Sequence, residues 1–261
     1  MKPRLETCVV GRGGTPVFLA NRDGARGGVV LVSEVWGVDA SLREWAEKLM
    51  VEGFAIAMPD LWHRCGGPPS AEGAAQAIAG LDDGTALRDI AAAAATLDPD
   101  RPRIVIGFCL GGLYARMASA AVPGLAAAVE FYGRIVYPTL SSTKPAQPLD
   151  MLPGRACPLL CHFGIDDSIA PPHHVDELER RLSHQGIAAQ VHRYPGVGHA
   201  FMNAHGPGYS AQAAALAWSR TLRFIDEVLP DCTARISCHL PRSHDAQPDR
   251  HARRRYRRRR F

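Results

Sequence analysis

A cysteine flanked by glycines lies where the sequence predicts that a strand turns into a helix, and this junction constrains the fold more than any other feature. Residues 107–111 read Gly-Phe-Cys-Leu-Gly. A short β-branched run at residues 103–106 precedes them, and an alanine-rich stretch at residues 112–121 follows. The first pattern is typical of a buried strand and the second of a helix. The sequence therefore predicts a sharp turn with a thiol at its tip.

The chemistry of that turn favours a reactive role for Cys109. Small residues on both sides let neighbouring backbone pass close to the turn. Free N–H groups and the positive dipole end at a helix N-terminus stabilise an anion, which favours a thiolate and the binding of an oxyanion beside it. The alternative is a small buried hydrophobe, the usual role of a free cysteine. The residues that accompany Cys109 decide between the two.

Candidate partners follow Cys109 in the chain order of an α/β-hydrolase, which is nucleophile, acid and then histidine. Asp166 and Asp167 come after an apolar strand predicted at residues 157–163, and His199 comes after a strand predicted at residues 188–194. The residues alone do not choose between the two aspartates. Because active-site residues of open parallel sheets gather at the carboxyl ends of strands, we expect the thiol, the acid and His199 to meet there.

The remaining pattern predicts an α/β fold, a mostly parallel central sheet with helices on both faces. At 261 residues the chain is long enough for one such unit. Predicted strands lie at residues 16–20, 28–33, 54–58, 103–107, 125–131, 157–163 and 188–194. Predicted helices lie at residues 40–52, 84–97, 111–121, 171–185 and 208–229.

Four motifs resemble those of the dienelactone hydrolase (carboxymethylenebutenolidase) family, which has the α/β-hydrolase fold. They are the nucleophile motif at residues 107–112, an acid loop running from Gly164 to Asp167, a histidine loop at residues 198–201, and residues 33–37 after the second predicted strand. The resemblance spans about residues 5–229. It implies a hydrolase of ester or lactone bonds, with a small-molecule substrate.

The resemblance also assigns roles to residues of this chain. It implies that Cys109 is the nucleophile, that His199 moves protons, and that Asp167 rather than Asp166 orients the histidine. The backbone N–H groups of Val35 and Leu110 would form the oxyanion hole.

Glu34 is the family's partner of the resting thiol. In the family this glutamate lies against the nucleophile, keeps the thiol neutral at rest and is displaced when substrate binds. A carboxylate just beyond an apolar strand is also costly to bury without a donor, so we expect a hydrogen bond from a thiol or a water. The alternative is an exposed loop glutamate.

The substrate pocket departs from the family pattern. Members that act on dienelactone hold its carboxylate with two arginines, one of them four residues after the histidine, and Asn203 stands there in this chain. The candidate for the second is Arg64. We therefore expect neutral esters or lactones, with broad tolerance that extends to phosphate triesters; the alternative is a promiscuous esterase or phosphotriesterase without activity on dienelactone. Candidate aromatic wall residues are Trp36, Trp62, Phe131 and Tyr132; the alternative for each of them, equally favoured, is a position in the core.

The last part of the chain differs in kind. Residues 231–261 contain ten arginines and three aspartates, so the basic charge of the protein belongs to this segment and residues 1–230 are net acidic. Its composition predicts a disordered tail after a catalytic domain at residues 1–230. An arginine run can bind nucleic acid or an acidic surface. We favour a solvated extension without a partner, because phosphate attraction alone carries no specificity.

Other classes of function find little support in the sequence. No group of cysteines and histidines has the spacing of a metal site, and we expect neither a metal nor a cofactor. Seven cysteines without a Cys-x-x-Cys pair argue against a redox protein. The N-terminal residues lack the apolar stretch of a signal peptide, and no run is long enough to span a bilayer, so we expect a cytoplasmic enzyme. Monomer and homodimer both remain open.

Overall fold

An eight-stranded sheet runs through the protein. The computed structural model describes residues 6–10, 14–20, 23–152 and 156–229. The strands are β1 Glu6–Val10, β2 Thr15–Ala20, β3 Gly27–Val32, β4 Phe54–Pro59, β5 Arg103–Phe108, β6 Leu125–Phe131, β7 Leu159–Gly164 and β8 Ala189–Tyr194. Their order in the sheet is β1-β2-β4-β3-β5-β6-β7-β8. The six strands from β4 onward in this order pair in parallel. Strand β1 pairs antiparallel with β2, and β2 pairs antiparallel with β4.

The parallel strands are apolar because helices cover both sides of the sheet. All six residues of β3 and all six of β7 are buried. The α-helices within the described ranges are α1 Ala40–Val51, α2 Ala74–Gly80, α3 Asp83–Ala95, α4 Leu110–Ala121, α5 Pro172–His184 and α6 Ala211–Val228. Two short 3-10 helices lie at His63–Cys65 and Pro148–Met151.

Side-chain packing assigns the helices to the two faces. Ile90 of α3, Leu113 of α4 and Leu178 of α5 belong to one buried cluster with Val105 of β5. On the other face Trp45 of α1 lies with its ring centroid 5.0 Å from that of Trp218 of α6. The prediction of a mostly parallel sheet with helices on both faces is therefore confirmed.

Two elements were absent from the sequence-based prediction. Strand β1 pairs at the antiparallel edge of the sheet, with Cys8 opposite Val17. Helix α2 occupies part of the segment that we expected to be a loop, and its residues are at most partly buried. Neither element carries the long buried run that signals a core strand or helix. The tail at residues 231–261 lies outside the described residues, and its predicted disorder stays a prediction.

The topology brings several loops to one edge of the sheet. Since β3, β5, β6, β7 and β8 are parallel, their carboxyl ends lie side by side, and the segments that follow them meet there. None of the helices in the described ranges has the length and apolarity that a bilayer crossing requires.

Candidate active site

Cys109 forms the turn between β5 and α4 in a backbone conformation that few residues adopt. Its φ is 53° and its ψ is −111°. Its N–H donates to the Phe131 carbonyl at 2.9 Å, and its own carbonyl accepts from Leu113 N at 3.1 Å. Strain of this kind persists only where the surrounding structure enforces it, and it is characteristic of functional sites. The thiol is half-buried and reaches the carboxyl edge of the sheet.

Two of the glycines around the turn are required by close backbone contacts. A Cβ on Gly107 would lie 1.9 Å from the carbonyl oxygen of Gly111, and one on Gly112 would lie 2.6 Å from that of Phe131. These distances are far inside van der Waals contact. Any larger side chain would push α4 away from the strands that hold Cys109.

His199 and Asp167 extend a hydrogen-bonded chain from the thiol. The Nε2 atom of His199 lies 3.1 Å from Cys109 Sγ, and its Nδ1 atom lies 2.8 Å from Asp167 Oδ2. Asp167 is buried, and its Oδ1 accepts from the N–H groups of Ile169 at 2.7 Å and Ala170 at 3.2 Å. Asp166 is exposed. A thiol, an imidazole and a carboxylate bonded in this order can activate the sulfur as a nucleophile.

The surroundings of His199 favour its protonated form. Burial of the imidazole opposes its charged form. Hydrogen bonds with Asp167 and Cys109, together with the charges of these two groups, outweigh the effect of burial, and the pKa of His199 rises to about 10. The imidazole is therefore able to hold a proton that comes from the thiol, and it can later give that proton to a leaving group.

Glu34 lies beside this chain of groups, but its carboxylate bonds other residues. Oε1 accepts from the Tyr132 hydroxyl at 3.1 Å, and Oε2 accepts from Asn203 Nδ2 at 2.9 Å. Burial raises the pKa of Glu34, while these two hydrogen bonds act against the rise. The Cys109 thiol bonds His199 instead. The expected contact between Glu34 and a thiol or water is replaced by two protein donors, and the role of Glu34 as the resting partner of the thiol stays a prediction.

Two backbone N–H groups near the thiol are candidates for an oxyanion hole. Leu110 is the first residue of α4, and Val35 follows Glu34 in the segment after β3. Within the part of the chain that the structure describes, neither N–H donates a hydrogen bond. Such free donors are what a developing oxyanion requires.

Tyr132 has a larger part in the site than the sequence indicated. The sequence indicates only a wall or core residue, yet the Tyr132 hydroxyl donates to Glu34, and its ring lies edge-on to the His199 ring with centroids 5.1 Å apart. Its φ is 45°, and Ala200 has a φ of 60°. With Cys109, these are the non-glycine residues of positive φ in the described chain. The glycines around Cys109 indicate its turn, whereas nothing in the sequence indicates the strained backbone at Tyr132 and Ala200.

The structure buries two of the predicted pocket residues and pairs a third with a carboxylate. Trp62 is fully buried in the core cluster with α3 and α4, and Phe131 is fully buried with its ring stacked between those of Phe108 and His162. Their assignment to the pocket wall requires correction because neither side chain is exposed, whereas the pocket role of Arg64 stays a prediction. Arg64 is partly exposed and forms two hydrogen bonds to Asp89 of α3, at 2.7 and 3.1 Å.

Trp36 and Asn203 remain at the carboxyl edge. Asn203 is buried against Glu34, whereas Trp36 is 39% exposed. Two other large apolar residues, Leu140 and Ile165, are also exposed on the segments after β6 and β7. Trp36, Leu140 and Ile165 are therefore exposed apolar side chains on segments that follow strands of the sheet.

The fold and this arrangement of groups define the class as a hydrolase with the α/β-hydrolase fold. The model of the dienelactone hydrolase family matches residues 16–229. The carboxymethylenebutenolidase of Rhodococcus opacus is 31% identical over 221 residues, which cover 82% of this chain and 86% of the relative. The chain belongs to the dienelactone hydrolase family.

Solved structures agree with this assignment. A protein from Klebsiella pneumoniae subsp. pneumoniae, named "Putative Dienelactone Hydrolase", superposes with a TM-score of 0.78 at 26% identity, covering 86% of this chain and 98% of that one. A dienelactone hydrolase-like promiscuous phosphotriesterase from metagenomic libraries has a TM-score of 0.71 at 22% identity, covering 87% and 99%. The second likeness shows the shared fold.

Proposed function

We propose that this protein hydrolyses neutral ester or lactone bonds with Cys109 as the nucleophile, His199 as the proton carrier and Asp167 as its orienting acid. The observation that carries the proposal is the continuous hydrogen-bonded chain from the Cys109 sulfur through both nitrogens of His199 to Asp167. The two flanking N–H groups, of Val35 and Leu110, complete the set of groups that acyl transfer needs.

The first half of the reaction forms a thioester. His199 takes the thiol proton as the sulfur attacks the carbonyl carbon. A C–S bond forms, and the carbonyl oxygen becomes an oxyanion that accepts from the Val35 and Leu110 N–H groups. The tetrahedral adduct then expels the alkoxide. The imidazolium of His199 gives that alkoxide a proton as the C–O bond breaks, so that an alcohol, or the ring-opened end of a lactone, leaves.

Water completes the cycle. His199 takes a proton from the water as its oxygen attacks the thioester carbon, and the same N–H groups hold the second oxyanion. The C–S bond then breaks, the acid is released, and His199 returns its proton to the departing sulfur. Asp167 keeps the imidazole in one orientation and stabilises its charged form in both halves of the reaction.

The preference for uncharged substrates rests on the contacts of Asn203 and Arg64, the two positions where a cation could bind a substrate carboxylate. Asn203, where dienelactone-hydrolysing relatives have an arginine, has a neutral amide that already donates to Glu34. Arg64 is held by Asp89. The exposed apolar side chains of Trp36, Leu140 and Ile165 favour apolar acyl or alcohol groups at this edge.

The same pairing of Asn203 with Glu34 and of Arg64 with Asp89 favours a second activity on neutral phosphate triesters. Attack by the sulfur at phosphorus would form an S–P bond and again place negative charge on an oxygen that the two N–H groups can hold. An aryloxide would leave, and water would then cleave the S–P bond to release the phosphate diester. One structural neighbour is named a promiscuous phosphotriesterase. Because no cation is needed to bind such a substrate, this activity and ester hydrolysis would share one site.

The test compares wild type, Cys109→Ala and Cys65→Ala in the presence of reductant. The substrates are a p-nitrophenyl ester, dienelactone and a neutral aryl phosphate triester. Cys65 is an exposed cysteine and serves as the matched control. We expect the Cys109 variant to lose turnover of the p-nitrophenyl ester and the control to keep it, with the wild type preferring that ester over dienelactone. Full activity of Cys109→Ala would refute the mechanism, and a preference for dienelactone would refute the substrate class.

A further inference from the structure

A groove with a volume of about 270 Å³ lies between α1 and α6, on the face of the sheet that these two helices cover. Cys109, His199 and Asp167 lie outside its lining. We propose that this groove is a second binding site, which takes a small aromatic carboxylate with a polar group at its far end. The site is separate from the candidate active site, and the proposal does not depend on the proposed function.

The sequences of the two helices create the space between them. Each helix lines the groove with residues at positions i, i+3, i+4 and i+7, which share one helical face. On α1 these are Ser41, Glu44, Trp45 and Lys48, and on α6 they are Ala211, Ala214, Ala215 and Trp218. Because three of the four α6 positions are alanine, no long side chain of α6 fills the space beside the larger residues of α1. A closely packed helix pair would leave no such gap.

Aromatic side chains and a methionine form the apolar part of the groove. The ring centroid of Trp218 lies 5.0 Å from that of Trp45, with the ring planes at 47°. Tyr209, which is 44% exposed, and Met202 extend this wall from the segment after β8. Ring faces and a thioether bind planar rings well, because such contacts add stacking to the burial of apolar area. The volume favours one or two rings, since drug-sized ligands occupy roughly 300–1,000 Å³.

Lys48 determines the charge that the groove favours in a ligand. Its Nζ lies 3.7 Å from the centroid of the Trp45 ring, so the place where that ring attracts a cation is already filled by the protein. Within the described part of the chain, no carboxylate or carbonyl accepts a hydrogen bond from this ammonium. The Glu44 carboxylate, which also lines the groove, bonds His205 Nε2 at 2.8 Å. A carboxylate on the ligand therefore complements Lys48, whereas a cationic ligand would compete with it.

Ser41 supplies a polar group at the other end of the α1 face. The residue is only 8% exposed, and its hydroxyl has no hydrogen-bond partner among the residues that the structure describes. A buried hydroxyl without a partner costs free energy that a polar ligand group can recover. Ser41 and Lys48 are seven positions apart on α1, which corresponds to about 10 Å along the helix axis. A para-substituted ring with a carboxylate at one end and a hydroxyl at the other can bind both.

The test measures the binding of three probes to the full-length protein by isothermal titration calorimetry. The probes are para-hydroxyphenylacetate, phenylacetate, which lacks the hydroxyl, and para-hydroxyphenylacetamide, which lacks the charge. We expect para-hydroxyphenylacetate to bind most tightly. Phenylacetate is expected to bind about two- to tenfold more weakly for the loss of one hydrogen bond, and the amide at least about fivefold more weakly for the loss of an ion pair. Equal affinities for the three probes, or no binding of any, would overturn the proposal.

Variants of α1 assign each contact. Lys48→Met is expected to lower the affinity for both carboxylates to about that of the amide, and to leave binding of the amide unchanged. Ser41→Ala is expected to weaken para-hydroxyphenylacetate to the level of phenylacetate, without an effect on phenylacetate itself. Arg43→Met is the matched control, because it removes a cation of the same helix that lies over the Phe18 ring, and it is expected to bind as wild type does. Equal losses in the Lys48 and Arg43 variants would indicate a general charge effect and refute the assigned contact.

Substitutions on α6 locate the bound probe. Ala215→Phe places a ring in the groove and is expected to abolish binding, whereas Leu216→Phe, at an exposed neighbouring position outside the lining, is expected to retain it. Binding that survives Ala215→Phe would disprove the location. Competitive inhibition of ester turnover with a Ki equal to the Kd would place para-hydroxyphenylacetate in the active site, with the same consequence. A wild-type dimer that Ala215→Phe dissociates in sedimentation would assign the groove to a second copy of the chain and overturn the proposal.

Discussion

A Cβ atom on Gly111 would lie 2.2 Å from the carbonyl oxygen of Val32 and 2.6 Å from that of Ser33. Both oxygens belong to the backbone at the end of β3 and just beyond it, so neither can rotate away. This close approach brings the N-terminus of α4 against the segment that carries Glu34 and Val35. The glycine therefore couples the turn of the nucleophile to the second half of the candidate oxyanion hole.

Gly111→Ala is expected to destabilise the protein by roughly 1–3 kcal/mol or more, because backbone must shift to admit the methyl group. Gly80→Ala is the matched control. Gly80 is the last residue of α2, and a Cβ atom there would have no neighbouring atom within 4 Å. The control is expected to change stability by less than about 1 kcal/mol, in the stabilising direction. Urea unfolding of the two variants measures the difference, and equal midpoints would contradict the prediction.

Asp167→Asn is expected to lower kcat roughly 10³- to 10⁴-fold with little loss of stability, because an amide cannot stabilise the imidazolium or fix its tautomer. The Oδ1 atom can keep the bonds from Ile169 and Ala170 that hold the loop. Asp166→Asn changes the exposed neighbouring aspartate and is expected to keep full activity. Steady-state turnover of a p-nitrophenyl ester is the measurement, and a larger loss in the Asp166 variant would reverse the assignment.

Turnover of alkyl esters is expected to decline as the pH rises through about 10. The pKa of His199 is raised to about 10, so the imidazolium that protonates a leaving alkoxide persists below that pH and is lost above it. A p-nitrophenolate leaving group needs no such proton, so its ester is expected to show a weaker decline. The measurement is kcat/KM for both esters against pH, corrected for reaction with hydroxide. Identical profiles for the two esters would contradict the role given to His199.

The parts of the site that depend on local sequence pattern could be predicted from the sequence. The glycine-flanked Cys109 had to lie at a strand-to-helix turn, and His199 had to follow a strand, so the structure brings them to the same edge. The choice of Asp167 over Asp166 came from the family motif, because both aspartates follow the same strand. The structure bonds Asp167 to the histidine.

Contacts between side chains of segments that are distant in the chain could not be predicted from the sequence, because they depend on the direction in which each side chain points. Asn203 and Glu34 are separated by 169 positions, and the sequence suggested a substrate contact for the one and a thiol contact for the other. For Trp62 and Phe131 the sequence left the pocket wall and the core as alternatives, because an aromatic side chain near the end of a strand can point either way, and the structure buries both. Packing against the helices decides that direction, and periodicity alone does not.

Lys144→Met is expected to destabilise the protein by about 3–5 kcal/mol, because it leaves a buried carboxylate without its cation. The buried Lys144 Nζ donates to Leu81 O at 2.6 Å, Asp83 Oδ1 at 2.7 Å and the Tyr114 hydroxyl at 2.8 Å, so all three of its protons are used. These bonds join the long segment after β6 to α3 and α4.

The matched control for the Lys144 variant is a surface ion pair of α3, the helix that begins at Asp83 and has Asp82 as its N-cap. Arg88 and Asp82 lie 4.0 Å apart with both side chains exposed, and Arg88→Met is expected to cost less than about 1 kcal/mol. Chemical unfolding of both variants gives the comparison. A loss at Lys144 no greater than that at Arg88 would show that the buried network contributes little.

Protonation of His162 in the unfolded chain is expected to weaken the fold as the pH falls below about 6.5. Burial lowers the pKa of His162 well below its usual range, with the charges of His192 and Arg220 acting in the same direction. Its nitrogens bond the hydroxyls of Tyr194 at 2.8 Å and Thr221 at 3.2 Å. The folded protein therefore keeps this ring neutral, while the unfolded chain binds a proton.

Because the unfolded state binds the extra proton, the free energy of unfolding falls with decreasing pH, by about 1.4 kcal/mol per pH unit for this group, until the folded ring also titrates. Its contribution is fully present above pH 6.5, the usual value, and declines below it. His162→Gln removes this dependence, whereas His184→Gln, at an exposed position, retains it. Urea unfolding at about pH 7 and about pH 5.5 measures both slopes. A His162 variant with the same loss of stability between the two pH values as wild type would assign the acid sensitivity to other groups.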